Sequence, residues 1–136
     1  HGDYRLDNLL FPTDDPGGVA AVDWQTVGLG PPGRDLAYFL ATSLSPEDRR
    51  RHEADLLATY HGALADHGVI GYTREECWED YRVGMLHGPL IILLGRLTAT
   101  VTDRGDEMFK VMWQRCTRAI LDLGSLDAIR ATIDGA

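Results

Sequence analysis

Asp3, Asn8 and Asp23 are three oxygen-bearing side chains whose spacing suits metal-assisted chemistry on a hydroxyl. They lie in His1-Gly2-Asp3-Tyr4-Arg5-Leu6-Asp7-Asn8, the apolar run Leu9-Leu10-Phe11, a turn cluster from Pro12 to Gly18, the run Val19-Ala20-Ala21-Val22, and Asp23-Trp24-Gln25. Two short apolar runs around a Pro/Asp/Gly cluster predict a β-hairpin. Asn8 precedes the first strand and Asp23 follows the second, so antiparallel pairing brings them together at the open end. Directly opposed residues there have Cβ atoms ~5 Å apart. An amide and a carboxylate at that distance can share one hard cation such as Mg²⁺, which takes oxygen ligands. Asp3, on the same rim, adds a carboxylate able to accept a proton from a hydroxyl nucleophile. Asp and Asn also serve turns and caps, and Asp3, Asp7 and Asn8 can be read in that way too.

The pattern His-Gly-Asp-x-x-x-x-Asn, a hairpin and Asp-Trp resembles the catalytic loop and metal-binding segment of the aminoglycoside phosphotransferase and choline kinase group. That group is a small-molecule branch of the protein-kinase-like fold. Protein kinases carry His-Arg-Asp-x-x-x-x-Asn and Asp-Phe-Gly; here Gly2 stands for the Arg, and Trp24-Gln25 for Phe-Gly. Asp23-Trp24-Gln25 with Arg34-Asp35-Leu36-Ala37-Tyr38-Phe39-Leu40 and Ser43 is similar to the ecdysteroid-kinase-like branch. The resemblance is dense over residues 1–43, then fades to helical character and a Leu56-Leu57…Tyr60-His61 echo. It implies that Asp3 is the catalytic base and that Asn8 and Asp23 hold Mg²⁺ on the phosphates of ATP or another NTP. It further implies that His1 braces the metal-binding segment from behind and that Asp35 steadies the catalytic loop. In the family the lobe that grips the nucleotide lies upstream of the catalytic-loop His. The chain therefore reads as a C-terminal lobe, the N-terminal lobe or a companion chain being its expected partner.

The elements that must position these residues form one domain, for which 136 residues suffice. The apolar content of 44% and charged content of 25% are those of an ordinary soluble globular protein. A net charge of −8 argues against nucleic acid and anionic membrane surfaces as partners. It suits cationic ligands, or a metal among clustered acids. Cys77 and Cys116 form no CxxC pair and predict reduced thiols, which places the chain in the cytoplasm. Lys110, the only lysine, falls far downstream in a helical stretch.

Residues 26–33 contain a literal G-x-G-x-x-G, but Pro31 and Pro32 lack the amides that cradle a pyrophosphate. A Gly/Pro loop is the reading. Asp35 stands where it can cap a helix over Leu36–Leu40. Ser45-Pro46-Glu47-Asp48 opens the next helix, in which Leu57, Tyr60 and Leu64 predict a buried stripe. Arg49-Arg50-Arg51 reads as a solvated face, with Glu47 and Arg51 spaced for an ion pair. His67-Gly68 ends that helix. Thr73-x-x-Glu76 is a capping box for a helical stretch over about 74–101, kinked at Pro89. Trp78, Tyr81 and Met85 read as core rather than as an aromatic cage. His87 reads as a satisfied core histidine. Leu86–Leu97 reads as the central buried helix, too short for a membrane span. A helix over Asp103–Leu123 is stopped by Gly124, and Ser125 caps a last helix over 126–133.

The expected fold is mainly α, a kinase-like C-terminal lobe with one short hairpin carrying the catalytic and metal-binding segments. The implied function is phosphoryl transfer from ATP to a hydroxyl of a small molecule, with the isolated chain inactive. The competing expectation is a non-catalytic helical module that binds a partner or a metal ion. An apolar surface that normally meets the upstream lobe is expected to be exposed and to favour a homodimer.

Overall fold

The computed structural model describes residues 1–15, 17–98 and 100–134. After a 3-10 turn at Leu6–Asn8 come strands β1 (Leu9–Leu10) and β2 (Ala20–Ala21), and a second 3-10 turn at Trp24–Thr26. Six helices follow: α1 (Gly33–Ser43), α2 (Pro46–Asp66), α3 (Arg74–Gly84), α4 (His87–Thr98), α5 (Asp103–Leu123) and α6 (Ser125–Asp134). The molecule is thus mostly helical with one two-stranded antiparallel hairpin, as expected. Among the described residues no helix is long and apolar enough to cross a membrane.

The centre of the fold is α1. Ala37, Tyr38, Leu40 and Ala41 are almost fully buried, and the helix packs against α2, α3, α4 and α5. Its crossing with α3 is a backbone-to-backbone approach. A Cβ on Gly33 would lie 2.4 Å from the Asp80 carbonyl carbon, and one on Gly84 would lie 2.8 Å from the Gly33 oxygen. Tyr81 of α3 and Met85 just past its end, with Met112, Cys116 and Ala119 of α5, complete the core around it. Trp78 packs against that cluster, so these residues form core, not a cage.

The stretch expected to be the central helix occupies a different position. In α4 only Gly88 and Ile92 are buried, while Leu90, Leu93, Leu94 and Leu97 are 55 to 74% exposed. The helix touches α1 and α5 on one side only. The single stretch expected over 74–101 also splits, at Met85-Leu86, ahead of the proline. A proline ring collides with the carbonyl four residues earlier, which is that of Met85. Pro89 instead occupies the first turn of α4, where a missing N–H breaks no helical bond. The break re-aims the chain so that Gly88 can meet α5, where an added Cβ would lie 2.6 Å from Cys116 Sγ.

Four smaller expectations are corrected. Arg49 is not on a solvated face; it is 2% exposed, paired with Glu53 on its own helix and with Asp122 of α5 at 2.6 Å. Glu47 pairs with Arg50 rather than Arg51. Of the expected stripe in α2 only Leu57 is fully buried, with Tyr60 and Leu64 half-buried. Ser125 does not cap α6, because its buried Oγ has no partner and the Gly124 carbonyl accepts from Asp127 and Ala128 instead. The Ser45 cap, the Thr73–Glu76 capping box and the limits of α5 form as the sequence predicts.

Candidate functional site

The loop carrying Asp3 is shaped at Gly2. Its φ of +88° belongs to the left-handed region, and a Cβ there would lie 2.7 Å from the Thr26 carbonyl oxygen. Only glycine lets the backbone of residues 1–3 lie against the turn that follows Asp23. Thr26 Oγ1 donates to the His1 carbonyl at 2.9 Å, tying the two segments together.

Asp3 is held from three directions. Tyr38 donates its hydroxyl to Oδ1 at 2.9 Å. Asn8 Nδ2 donates to Oδ2 at 3.0 Å and to the Asp3 carbonyl at 2.8 Å. Arg5 Nε reaches Oδ2 at 3.3 Å, while the same guanidinium pairs with Asp7. Burial pushes the Tyr38 hydroxyl well above its ordinary value, and the neighbouring Asp3 charge adds to this. Tyr38 therefore stays a donor throughout the working pH range. A carboxylate offers about four acceptor directions, so roughly one is left at Asp3 for a further hydroxyl.

Asn8 is buried at the first strand, and its amide nitrogen is committed to Asp3. Its amide oxygen has no hydrogen-bond partner among the described residues. Across the hairpin the register pairs Leu9 with Ala21 and Leu10 with Ala20, and Val22 N–H donates to the Asn8 carbonyl at 2.9 Å. Asn8 thus faces Val22, with Asp23 one residue further on, so the predicted direct opposition is off by one. Asp23 takes a left-handed conformation, φ 65° and ψ 56°, and does not cap the turn it precedes. Its exposed carboxylate is free of protein partners among the described residues. An amide oxygen and a carboxylate, both left open by the protein, suit a hard cation whose shell is finished by phosphate oxygens and water. No group of three or more His, Cys, Asp or Glu side chains able to hold a metal occurs among the described residues.

His1 lies behind this segment. Its Nε2 is 2.9 Å from the Val22 carbonyl and its Nδ1 accepts the Asp3 amide at 3.3 Å, which fixes the tautomer with the proton on Nε2. Its ring also packs on Trp24, with centroids 4.7 Å apart. Asp35 does not cap α1. Its carboxylate accepts from the nitrogens of His1 and Gly2, at 2.6 and 2.9 Å. Burial tends to raise the Asp35 value, while the Gly2 amide and the Arg34 guanidinium act to lower it.

Two contributors escape a reading of the sequence. Tyr38 is one turn beyond Asp35 on α1, and that i, i+3 spacing was the available signal that both face the loop. His87, at the start of α4, has Nε2 2.8 Å from the Gly2 carbonyl and sits edge-on to Tyr38. It is satisfied, as expected, but half-buried rather than in the core, and its partner is the loop itself.

Over 38 residues the chain is 47% identical to acyl-CoA dehydrogenase family member 10 of Mus musculus, covering 28% of this chain and 4% of the relative. Over 39 residues it is 44% identical to acyl-CoA dehydrogenase family member 11 of Homo sapiens and of Pongo abelii, covering 29% of this chain and 5% of each relative. The match thus spans a small fraction of the length of these curated relatives. No solved structure matches the chain. The model of the ecdysteroid kinase-like family matches residues 1–69, half of the chain and all of the loop, hairpin and α1 described above, and the chain belongs to that family.

Proposed function

We infer that this chain carries the base and the metal-holding residues of a kinase-type phosphotransferase. The group moved is the γ-phosphoryl of ATP or another NTP, and the acceptor is a hydroxyl of a small molecule. The observation that supports this reading most is the bond between Asn8 and Asp3. It fixes the candidate base relative to the candidate ligand and leaves the Asn8 oxygen for a cation.

Phosphoryl transfer asks a protein mainly for positioning and charge neutralisation. In this reading Asp3 takes the acceptor hydroxyl in its remaining acceptor direction, orients it and receives its proton. Tyr38 and Arg5 keep that carboxylate from turning away. Asn8 and Asp23 would hold Mg²⁺, which when bound offsets the negative charge of the nucleotide phosphates. His1 and Asp35 hold the backbone on either side of Gly2, and with it the spacing of Asp3 from Asp23. Lys110 takes no part, because it lies on the exposed side of α5 with Glu107 at 3.2 Å. With no lysine at the site and Asp3, Asp7 and Asp23 on its rim, the 136 residues alone are expected not to turn over.

The metal assignment is tested by titrating Mg²⁺ or Mn²⁺ with nucleotide into the whole protein that carries these residues. Asp23→Asn and Asn8→Ala should each weaken metal–nucleotide binding at least tenfold. An Asp23→Asn variant that binds metal–nucleotide as well as the parent removes Asp23 from the site.

A further inference from the structure

A cavity of about 560 Å³ opens between the catalytic loop and α5. Arg5, which touches Asp3 on one side, lines it on the other and lies 3.5 Å from Met108 Sδ. The volume falls in the range of small-molecule sites, roughly 300–1,000 Å³. Its wall on α5 is one face of that helix: Arg104, Met108, Met112 and Arg115, spaced i, i+4, i+8 and i+11.

The charges on this cavity do not balance. Both acids that line it are already paired, Asp7 with Arg5 and Glu107 with Lys110. Arg104 and Arg115 have no carboxylate partner among the described residues. Arg115 is half-buried and spends one N–H on the Thr42 carbonyl at 2.8 Å, leaving the rest of its guanidinium open. Most other cations of this acidic chain are matched to a carboxylate, Arg49, Arg50, Arg82, Arg96 and Arg130 among them. A half-buried guanidinium without a counter-charge, set in a methionine-rich wall, favours an anionic group there, because the lowered dielectric strengthens that attraction.

We propose that this cavity is the acceptor pocket and that it takes a hydroxylated aliphatic acceptor with one anionic end, the anion at Arg115, the chain along Met108 and Met112, and the hydroxyl towards Asp3. The orientation rests on the phosphotransfer reading; the preference for an anion rests on the cavity alone. Met108 and Arg115 are seven positions apart, ~10 Å along a helix. That matches an extended chain of about eight carbons at the usual bond geometry.

The probes are ω-hydroxyoctanoate, its methyl ester and ω-aminooctanol, measured by calorimetric titration into the whole protein that carries these residues at low salt. The acid should bind at least tenfold tighter than the ester, and the amine weakest. Arg115→Gln should erase the advantage of the acid, leaving the ester unchanged, whereas Arg115→Lys should keep most of it. Arg104→Gln, at an exposed and unpaired position, should reduce it less and serves as the variant whose folding is not in question. Equal affinities for the three probes, failure of the acid to bind, or an acid preference that survives Arg115→Gln overturns the proposal. Acid that binds as stated but is never phosphorylated by the whole protein leaves the pocket's chemistry standing and removes the phosphotransfer reading. Phosphorylation of the amine in preference to the acid does the reverse.

Discussion

At the scale of single residues, Asp3 works within a set of groups that hold it in place. Tyr38 is the clearest case, being 1% exposed with its hydroxyl on Oδ1. Tyr38→Phe removes one donor and leaves the ring in place. A hydrogen bond to a charged group such as the Asp3 carboxylate contributes about 1.5 to 3 kcal/mol, and its loss destabilises the fold by that order. The variant should therefore fold with a lower Tm, and kcat should fall about tenfold while KM for nucleotide stays the same. A variant with lowered Tm but parental kcat would reduce Tyr38 to a packing residue. The sequence already places Asp3, Asn8 and Asp23 around a hairpin, since turn residues and apolar runs are local signals. It is silent on Tyr38 and on the His87 contact with Gly2, because those partners lie 35 and 85 positions away and are brought in only by α1 and α4.

At the scale of elements, several caps and stops were legible, though not those expected at Asp35 and Ser125, while burial was often not. Thr73 with Glu76, Ser45 with Pro46, and Gly124 set helix ends by bonds within a few residues. Which face each helix buries depends on its neighbours, and there composition misleads. Arg49 looks like one of three surface arginines, yet Asp122, 73 positions away, draws it inside. Leu86–Leu97 looks like the core, yet α4 lies at the edge with Leu90, Leu93, Leu94 and Leu97 outward. Those four stand at i, i+3, i+4 and i+7, the spacing of a helix seam. A second copy of the chain supplies a matching seam, so the isolated chain is expected to self-associate. Sedimentation velocity over a range of concentrations should show this, and Leu94→Glu should return the chain to monomer with stability changed by less than about 0.5 kcal/mol. Association that is indifferent to Leu94→Glu places the contact elsewhere.

At the scale of the whole molecule, one helix relates the parts. From α1, Asp35 reaches the backbone of residues 1 and 2, Tyr38 reaches Asp3, and Thr42 with Ser43 lines the cavity beside Arg5. Loop, Asp3 and cavity are thereby referred to a single buried rod that packs on four other helices. Such an arrangement suits a reaction in which positioning contributes most of the rate. The chain's acidity fits the same picture: a rim of Asp3, Asp7 and Asp23 suits a bound cation and leaves binding of an anionic nucleotide to depend on it. The proposed function makes Asp3 the base of a phosphoryl transfer. The measurement that meets it head-on is steady-state transfer from ATP to an acceptor by the whole protein, parent against Asp3→Asn. The expected result is a fall in kcat of about 10²- to 10⁴-fold with nucleotide affinity nearly intact. A variant that retains kcat, or one whose loss lies only in KM, contradicts it.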